Sequence, residues 1–349
     1  MERNRTIDFV KGELIILVVL GHGLQFSFGS GYKNAELFFD DYLFRAIYTF
    51  HMPLFMFISG YLFYHSNQKS YRIVVASKLK SIGIPFVAYF SIIYALNFGF
   101  SRMNTFYFSH FIIMMRNYMW FLSSLFLNCL VVASVSHLCC DKRGSQCILA
   151  FLVILTFFIP GSIIPDTHIF MFPYFLLGYW SSMKKLDLHI LLTNRYVMLA
   201  FTCVFVITLL FFDKELTIYR SGGICIITDK GINLAKFAKD VSMYFIGIIN
   251  GLWFLAISQR LSIYCKHKEI ITHLGRMTLA IYGFQCILYV IITEFLNIYR
   301  IEIPHNYVIP TMITLLILLL CEYGVKICQL NKYSSLLFLG MYNKQLYRR

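Results

Sequence analysis

The chain has 349 residues, of which 58% are hydrophobic and only 14% are charged. Soluble domains carry roughly 25% charged residues, so the composition excludes an ordinary soluble protein and indicates an integral membrane protein. The formal net charge of +14 is spread over the connections between apolar segments rather than gathered on one basic face. We therefore expect no nucleic-acid partner.

The apolar segments are mostly near 20 residues long, which predicts transmembrane helices rather than the strands of a β-barrel. The fold class is therefore all-α, a polytopic helical bundle with about ten transmembrane helices. In chain order, we place them at 9–28, 44–65, 80–101, 117–138, 147–164, 168–183, 196–212, 240–259, 271–298 and 307–330. The whole chain, 1–349, is predicted to form a single membrane domain with a transmembrane core at about 9–330 and no appended soluble domain.

Connections rich in lysine and arginine alternate with poor ones along the chain. The segments rich in lysine and arginine are the N-terminus with Arg3 and Arg5, 69–80, 142–143, 184–195, 260–268 and the C-terminal tail. The short connections between them contain few lysine or arginine residues. Because lysine and arginine are retained on the cytoplasmic side, both termini are predicted to be cytoplasmic. The tail at 347–349 is expected to lie at anionic lipid headgroups.

The first predicted helix carries charged residues at its cytoplasmic end and a histidine far inside the membrane. Asp8, Lys11 and Glu13 stand at its entry and His22 lies deep in the apolar run; ionisable groups at bilayer depth are functional candidates. Lys11 and His22 are eleven residues apart, which is about three turns, one face and roughly 16 Å. Asp8 is expected to pair with Lys11 three residues on, and Glu13 to snorkel to the surface.

The second predicted helix runs inward from the outer face and contains another histidine, His51. The topology puts His51 at a depth similar to that of His22, and two imidazoles at one depth suit proton transfer. A structural role for His51 stays open. Pro53 and the pair Ser59–Gly60 allow a kink and close helix approach.

Two lysines, Lys78 and Lys80, precede the proline-bearing start of the third predicted helix. They share the cytoplasmic face with Lys11, and together these cations are suited to a phosphorylated cytosolic cofactor. The alternative is that Lys78 and Lys80 are ordinary topology-setting lysines. The ten cysteines show neither a CxxC pair nor metal-type spacing, so we interpret them as small membrane hydrophobes and expect no metal.

Two motifs carry a family resemblance. They are Asp-x-x-Lys-Gly-x-x-Ile-x-x-Val-Val-x-Gly-His at 8–22 and Phe-His-Met-Pro-Leu-Phe-x-Phe-x-Ser-Gly at 50–60, with weaker segments at Met119–Leu122, Phe172–Tyr179 and Gly275–Tyr282. Together they resemble the membrane acyltransferase 3 family, and in particular its fucose 4-O-acetylase-like branch, over nearly the whole chain. Lys11 stands where many members have arginine, and Gln285 stands where many relatives have a histidine.

The resemblance implies an enzyme of a bacterial cytoplasmic membrane that moves an acyl group, often acetyl, from cytosolic acyl-CoA to a hydroxyl of an envelope glycan. Acetyl-CoA is then a co-substrate, and no metal or prosthetic group is implied. The expected partners are acyl-CoA, membrane lipid, and a glycan or lipid-linked saccharide, such as an O-antigen or capsule unit, an exported polysaccharide or a peptidoglycan precursor.

The resemblance also implies roles for individual residues. His22 is implied as the catalytic base or as a transient carrier of the acyl group, and His51 as the residue that orients His22 or the acceptor. We further assign Lys11, Lys78, Lys80 and Asp8 to the cofactor, and Ser59 and Trp120 to the acceptor; the alternative for Trp120 is an anchor at the membrane interface. Arg276 is a further cation that is expected to reach the cytoplasmic face.

Two other function classes compete with the enzyme. A secondary transporter or flippase for a polar or glycolipid substrate also needs embedded ionisable residues, but it predicts inverted repeats and broken helices in matching halves, which the sequence does not display. A membrane sensor or scaffold without activity is the third possibility. Acyl transfer by the purified protein separates the enzyme from both.

Overall fold

The computed structural model describes residues 4–28, 35–100, 111, 114–115, 118–139, 141–186, 194–219, 221, 223–228 and 231–341. Most of these residues are helical. Up to residue 155 the helices are α1 (Arg5–Phe26), α2 (Ala35–Phe38), α3 (Tyr42–Tyr48), α4 (His51–Ser66), α5 (Tyr71–Lys78), α6 (Ile84–Phe100), α7 (Trp120–Leu138) and α8 (Lys142–Leu155). A π-helical turn at Leu79–Gly83 joins α5 to α6.

The second half of the chain is also helical, apart from one short ribbon. Its helices are α9 (Asp166–Met183), α10 (Arg195–Leu210), α11 (Leu234–Tyr264), α12 (Lys268–Arg276), α13 (Thr278–Tyr299), α14 (Val308–Cys328) and α15 (Lys332–Leu339), with short 3₁₀ turns at Thr156–Phe158 and Lys214–Leu216. The ribbon pairs β1 (Ile227–Thr228) with β2 (Gly231–Ile232) in antiparallel fashion.

Each of the ten segments predicted to be helical contains a helix. Among the described residues, six helical segments, two of which join two consecutive helices, are long and apolar enough to cross a membrane: Tyr42–Ser66, Tyr71–Gly99, Trp120–Leu138, Leu234–Tyr264, Thr278–Tyr299 and Val308–Cys328. The prediction of an all-α membrane protein is therefore confirmed. The number of ten crossings, the cytoplasmic termini and the single domain stay predictions, and the tail at 347–349 lies outside the described residues.

Proline chemistry explains two differences from the predicted helices. The second predicted helix is broken before His51, and α4 begins with Pro53 in its first turn, where the missing N–H costs no hydrogen bond. In the third, Pro85 removes a hydrogen bond and its ring would collide with the carbonyl group of Ser81. The chain widens there into the π-helical turn that precedes α6.

The described chain divides into two compact units, each made of separate stretches. The first contains Met1–Ile47, Lys80–Met119 and Ser258–Arg349, and in it α1 packs against α12, α13 and α14. Its core includes Val10, Leu14 and Val19, each at most 1% exposed. The Asn4 side chain accepts hydrogen bonds from the backbone N–H groups of the first turn of α1, which fixes the start of that helix.

The second unit contains Tyr48–Leu79 and Trp120–Ile257. Its central contact is between α4 and α9, with α7 packed beside both. A Cβ atom at Gly60 would overlap the carbonyl oxygen of Phe175, and one at Gly178 would overlap that of Phe57. The two glycines therefore let the backbones of α4 and α9 touch.

Candidate functional site

A charged cluster lies at the start of α1 in the first unit. The Asp8 side chain is only 7% exposed and lies beside two cations: Lys11 Nζ is 3.5 Å from its Oδ1 and Arg276 Nε is 3.7 Å from its Oδ2. The predicted pairing of Asp8 with Lys11 is present. Both cations are also largely shielded, with side chains 18% and 13% exposed, so solvent and salt screen their charges only weakly.

The backbone contact between α1 and α12 explains why Arg276 reaches this carboxylate. A Cβ atom at Gly275 would overlap the carbonyl oxygen of Asp8, and one at Gly12 would overlap that of Ile271. Because Arg276 directly follows Gly275, the close approach of the two helices brings its guanidinium group to Asp8. The sequence predicted that Arg276 reaches the cytoplasmic face but gave it no partner. The feature that could have indicated a helix contact here is the pair Gly275–Arg276 at the end of the short amphipathic segment 268–276.

Glu13 has a hydrogen-bond partner that the sequence did not reveal. The hydroxyl of Ser258 donates a hydrogen bond to the Glu13 carboxylate, and Ser258 itself is 0% exposed. Glu13 is half-buried, so the hydrogen bond from Ser258 holds one side of the carboxylate, and the expectation that Glu13 snorkels stays a prediction. The two residues are 245 positions apart, and no local spacing rule relates them.

His22 lies near the other end of α1 and is held by two neighbours. Its Nδ1 is 3.0 Å from Oε1 of Gln25, and its ring centroid is 5.6 Å from that of Tyr289 on α13. Tyr289 is fixed in turn, since its hydroxyl donates a 2.7 Å hydrogen bond to the Val19 carbonyl group. An amide oxygen only accepts, so we assign the proton to Nδ1, which leaves Nε2 as the basic nitrogen. Sequence reasoning missed both Gln25 and Tyr289, although Gln25 lies three residues on along the same helix.

His51 lines a cavity of about 280 Å³ in the second unit. Aromatic rings continue outward from it: the His51 and Tyr48 centroids are 4.7 Å apart, Tyr48 and Tyr219 are 5.7 Å apart, and Tyr219 and Trp120 are 6.0 Å apart. The rest of the lining is mainly aliphatic and aromatic, and comes from α9, α10, α11 and the 3₁₀ turn after α10. Trp120 thus belongs to an aromatic chain that ends at His51, and Tyr48 and Tyr219 are members that sequence reasoning missed.

The other candidate residues have contacts of their own. The Ser59 hydroxyl donates a 2.8 Å hydrogen bond to the Phe55 carbonyl group of its own helix and is not among the residues that line the cavity. Lys78 Nζ lies 5.1 Å from the ring centroid of Phe63 in the second unit, and Lys80 is an exposed residue of the first. Since His22 and His51 belong to different units, their predicted pairing stays a prediction.

Comparison with known proteins gives an independent line of information. A family model described as "Acyltransferase domain" matches residues 4–323. Nodulation protein NolL of Sinorhizobium fredii is 30% identical over 300 residues, which cover 81% of this chain and 77% of the relative. Nodulation protein NolL of Mesorhizobium japonicum is 38% identical over 95 residues, or 27% and 25% of the two chains. No solved structure matches the chain significantly.

Proposed function

This chain belongs to the membrane acyltransferase family whose model covers residues 4–323, and we propose that it is an O-acetyltransferase. In this proposal it moves an acetyl group from cytosolic acetyl-CoA to a hydroxyl group of an envelope or extracellular glycan. One observation carries the proposal: a largely shielded cation cluster lies at one end of α1 and a histidine with a basic Nε2 lies near the other. The roughly 16 Å between Lys11 and His22 along the helix suits the extended pantetheine arm of coenzyme A.

The charged cluster is the proposed site for the phosphate groups of coenzyme A. Lysine offers a point charge, whereas arginine offers a planar fork that binds phosphate through two hydrogen bonds. Many relatives are expected to have that fork at the position of Lys11, and here Arg276 brings it to the same carboxylate. Asp8 would then act by holding the two cations side by side, while Lys80, an exposed residue of the same unit, adds positive charge.

His22 is the proposed general base. Nε2 takes the proton of the acceptor hydroxyl as its oxygen attacks the carbonyl carbon of the thioester, and the carbon–sulfur bond then breaks. The leaving thiolate recovers the proton from the imidazolium, so the products are the O-acetylated glycan and coenzyme A. The hydrogen bond from Nδ1 to Gln25 fixes the tautomer that this role requires.

The cavity beside His51 is the proposed site for the acceptor. Aromatic rings present apolar faces with polar edges, so Tyr48, Tyr219 and Trp120 are suited to stack on a sugar ring while His51 orients its hydroxyl group. The aliphatic part of the lining suits the lipid of a lipid-linked saccharide. The predicted topology puts the ends of the helices that form this cavity at the outer face, where envelope glycans are assembled.

The test uses purified protein in detergent with radiolabelled acetyl-CoA and envelope glycolipid as acceptor. Replacing His22 with alanine is expected to reduce transfer about 10²–10⁴-fold, the contribution of a positioned base. His137→Ala is the matched control, because His137 Nε2 lies 3.0 Å from the Asn67 carbonyl oxygen and has no part in the proposed chemistry. Undiminished transfer by the His22 variant, or glycolipid movement without any acetylation by the wild type, would contradict the proposal.

A further inference from the structure

The side chain of Gln285 is a buried amide that lacks a hydrogen bond. Gln285 lies in α13 and is 0% exposed, and neither its Oε1 nor its Nε2 has a partner within the part of the chain that the structure describes. A buried amide that makes no hydrogen bond destabilises a fold, because it loses its hydrogen bonds to water and gains none in return. An apolar residue of the same length would avoid that cost, so the amide is expected to have a partner beyond the described residues.

The position of Gln285 indicates where that partner lies. Tyr282, Gln285 and Tyr289 are buried residues spaced three and four apart, so they share one stripe of α13. Tyr289 bonds to the Val19 carbonyl group and packs against the ring of His22. The stripe therefore faces α1, and Gln285 lies on it about 6 Å nearer than Tyr289 to the start of α13.

The start of α13 adjoins the charged cluster. Arg276 ends α12 only two residues before Thr278 begins α13, and it pairs with Asp8 at the start of α1. Along the two helices, Gln285 thus lies between the cations at one end and His22 at the other. A ligand that reaches from the cluster to His22 passes this amide.

We propose that Gln285 binds an amide group of the pantetheine arm of the acyl-CoA donor. A primary amide presents one oxygen acceptor and two N–H donors, which match the N–H and carbonyl groups of the secondary amides in pantetheine. A phosphate group accepts only and would leave the oxygen of Gln285 unsatisfied, and an acyl chain would satisfy neither atom. The proposal rests on the proposed function, because acyl-CoA is the ligand that function requires.

The test compares two probes that differ in the pantetheine arm. Coenzyme A contains the arm, and adenosine 3′,5′-bisphosphate contains the phosphorylated nucleoside without it. Binding of each is measured by calorimetry on the full chain in detergent, with no acceptor present. Gln285→Met keeps the length of the side chain and removes the amide, so it is expected to weaken binding of coenzyme A roughly tenfold and to leave binding of the bisphosphate unchanged.

Asn250 provides a matched control. It is also 0% exposed with both polar side-chain atoms lacking partners in the described chain, but it lies on α11 in the second unit. Asn250→Leu is expected to leave the binding of both probes unchanged. Neither variant is expected to lower Tm, because replacing an unpaired buried amide with an apolar group of similar shape is near neutral or stabilising.

The outcomes separate this inference from the function on which it rests. Wild-type protein that binds neither coenzyme A nor the bisphosphate would overturn both. Wild-type protein that binds coenzyme A no more tightly than Gln285→Met does would overturn the inference alone. Equal weakening of both probes by Gln285→Met would also overturn it, since that result indicates general damage to the unit.

Discussion

Each of the two units contains a pair of helices whose backbones touch at glycine residues, but the two contacts position different kinds of side chain. In the first, α1 and α12 touch through Gly12 and Gly275, and in the second, α4 and α9 touch through Gly60 and Gly178. At each of the four glycines, an added Cβ atom would overlap a carbonyl oxygen of the facing helix. Small residues that let backbones meet are a common basis of helix association in membranes, where the hydrophobic effect between helices is lost.

The side chains beside the two helix contacts differ between the units. Beside Gly12 and Gly275 lie Asp8, Lys11 and Arg276, whose charges are held nearly out of solvent. Across the contact of α4 with α9 the rings of Phe63 and Phe175 lie 5.5 Å apart, and the same two helices supply part of the cavity lined by His51. Close backbone packing therefore carries no chemistry by itself. The backbone contact fixes the side chains next to it. In the first unit these are charged side chains, and in the second they form part of the wall of a cavity.

The largest effect is expected when the contact in the first unit is broken. Gly275→Ala places a methyl group on the Asp8 carbonyl oxygen, so α1 and α12 must separate and Arg276 must leave Asp8. We expect a loss of stability of about 1–3 kcal/mol or more, seen as a lower Tm, together with loss of coenzyme A binding. Gly99→Ala is the control, because its added Cβ meets nothing within 4 Å, and its Tm should be equal or higher. An unchanged Tm for Gly275→Ala would refute the packing argument.

Gly60→Ala gives the corresponding result for the second unit and sharpens the comparison. Its added methyl group meets the Phe175 carbonyl oxygen, so Tm is expected to fall by a similar amount. At temperatures where this variant is still folded, the dissociation constant of adenosine 3′,5′-bisphosphate should match that of the wild type. If that constant rises as far as it does for Gly275→Ala, the phosphate site does not belong to the first unit alone.

A smaller effect is expected when a single lysine of the proposed phosphate site is replaced. Lys11→Ala should raise the KM for acetyl-CoA roughly tenfold with little change in kcat, because a shielded charge acts on phosphate with weak screening. Lys80→Ala should raise the KM less, since Lys80 is exposed and exposed ion pairs contribute at most about 1 kcal/mol. Lys11→Arg should retain or improve binding through the added fork. Equal KM values for the wild type and Lys11→Ala would remove Lys11 from the donor site.

Contacts between side chains of the same helix were predictable from the sequence, because helical spacing alone brings them together. The pairing of Asp8 with Lys11 follows from three-residue spacing, and the same rule accounts for the 3.0 Å ion pair of Glu322 with Lys326, four residues apart on α14. The helical segments themselves follow from apolar length. The sequence placed Pro85 at the start of the third predicted helix, but it did not reveal the π-helical turn at Leu79–Gly83 that precedes it.

Contacts between side chains of helices that are far apart in the sequence were not predictable in this way. Arg276 reaches Asp8, Tyr289 reaches His22 and Ser258 reaches Glu13 across more than 240 residues of chain. No periodicity connects such pairs, since they depend on which helix faces show backbone contact or shape complementarity. The glycines at 12 and 275 are visible in the sequence as residues, but their mutual contact appears only once the helices are packed.

The smallest effect is expected at the aromatic chain of the second unit. Tyr219 lies between Tyr48 and Trp120, with centroid distances of 5.7 and 6.0 Å, so Tyr219→Ala removes the middle ring. If these rings stack on the acceptor, the KM for the glycan should rise several-fold, in keeping with about 0.5–1.5 kcal/mol per aromatic contact, while the KM for acetyl-CoA stays constant. Tyr219→Phe keeps the ring and should behave like the wild type. A rise in both KM values would mean that Tyr219 supports the fold in general, whereas a change confined to the acceptor assigns acceptor recognition to the apolar unit and donor recognition to the charged one.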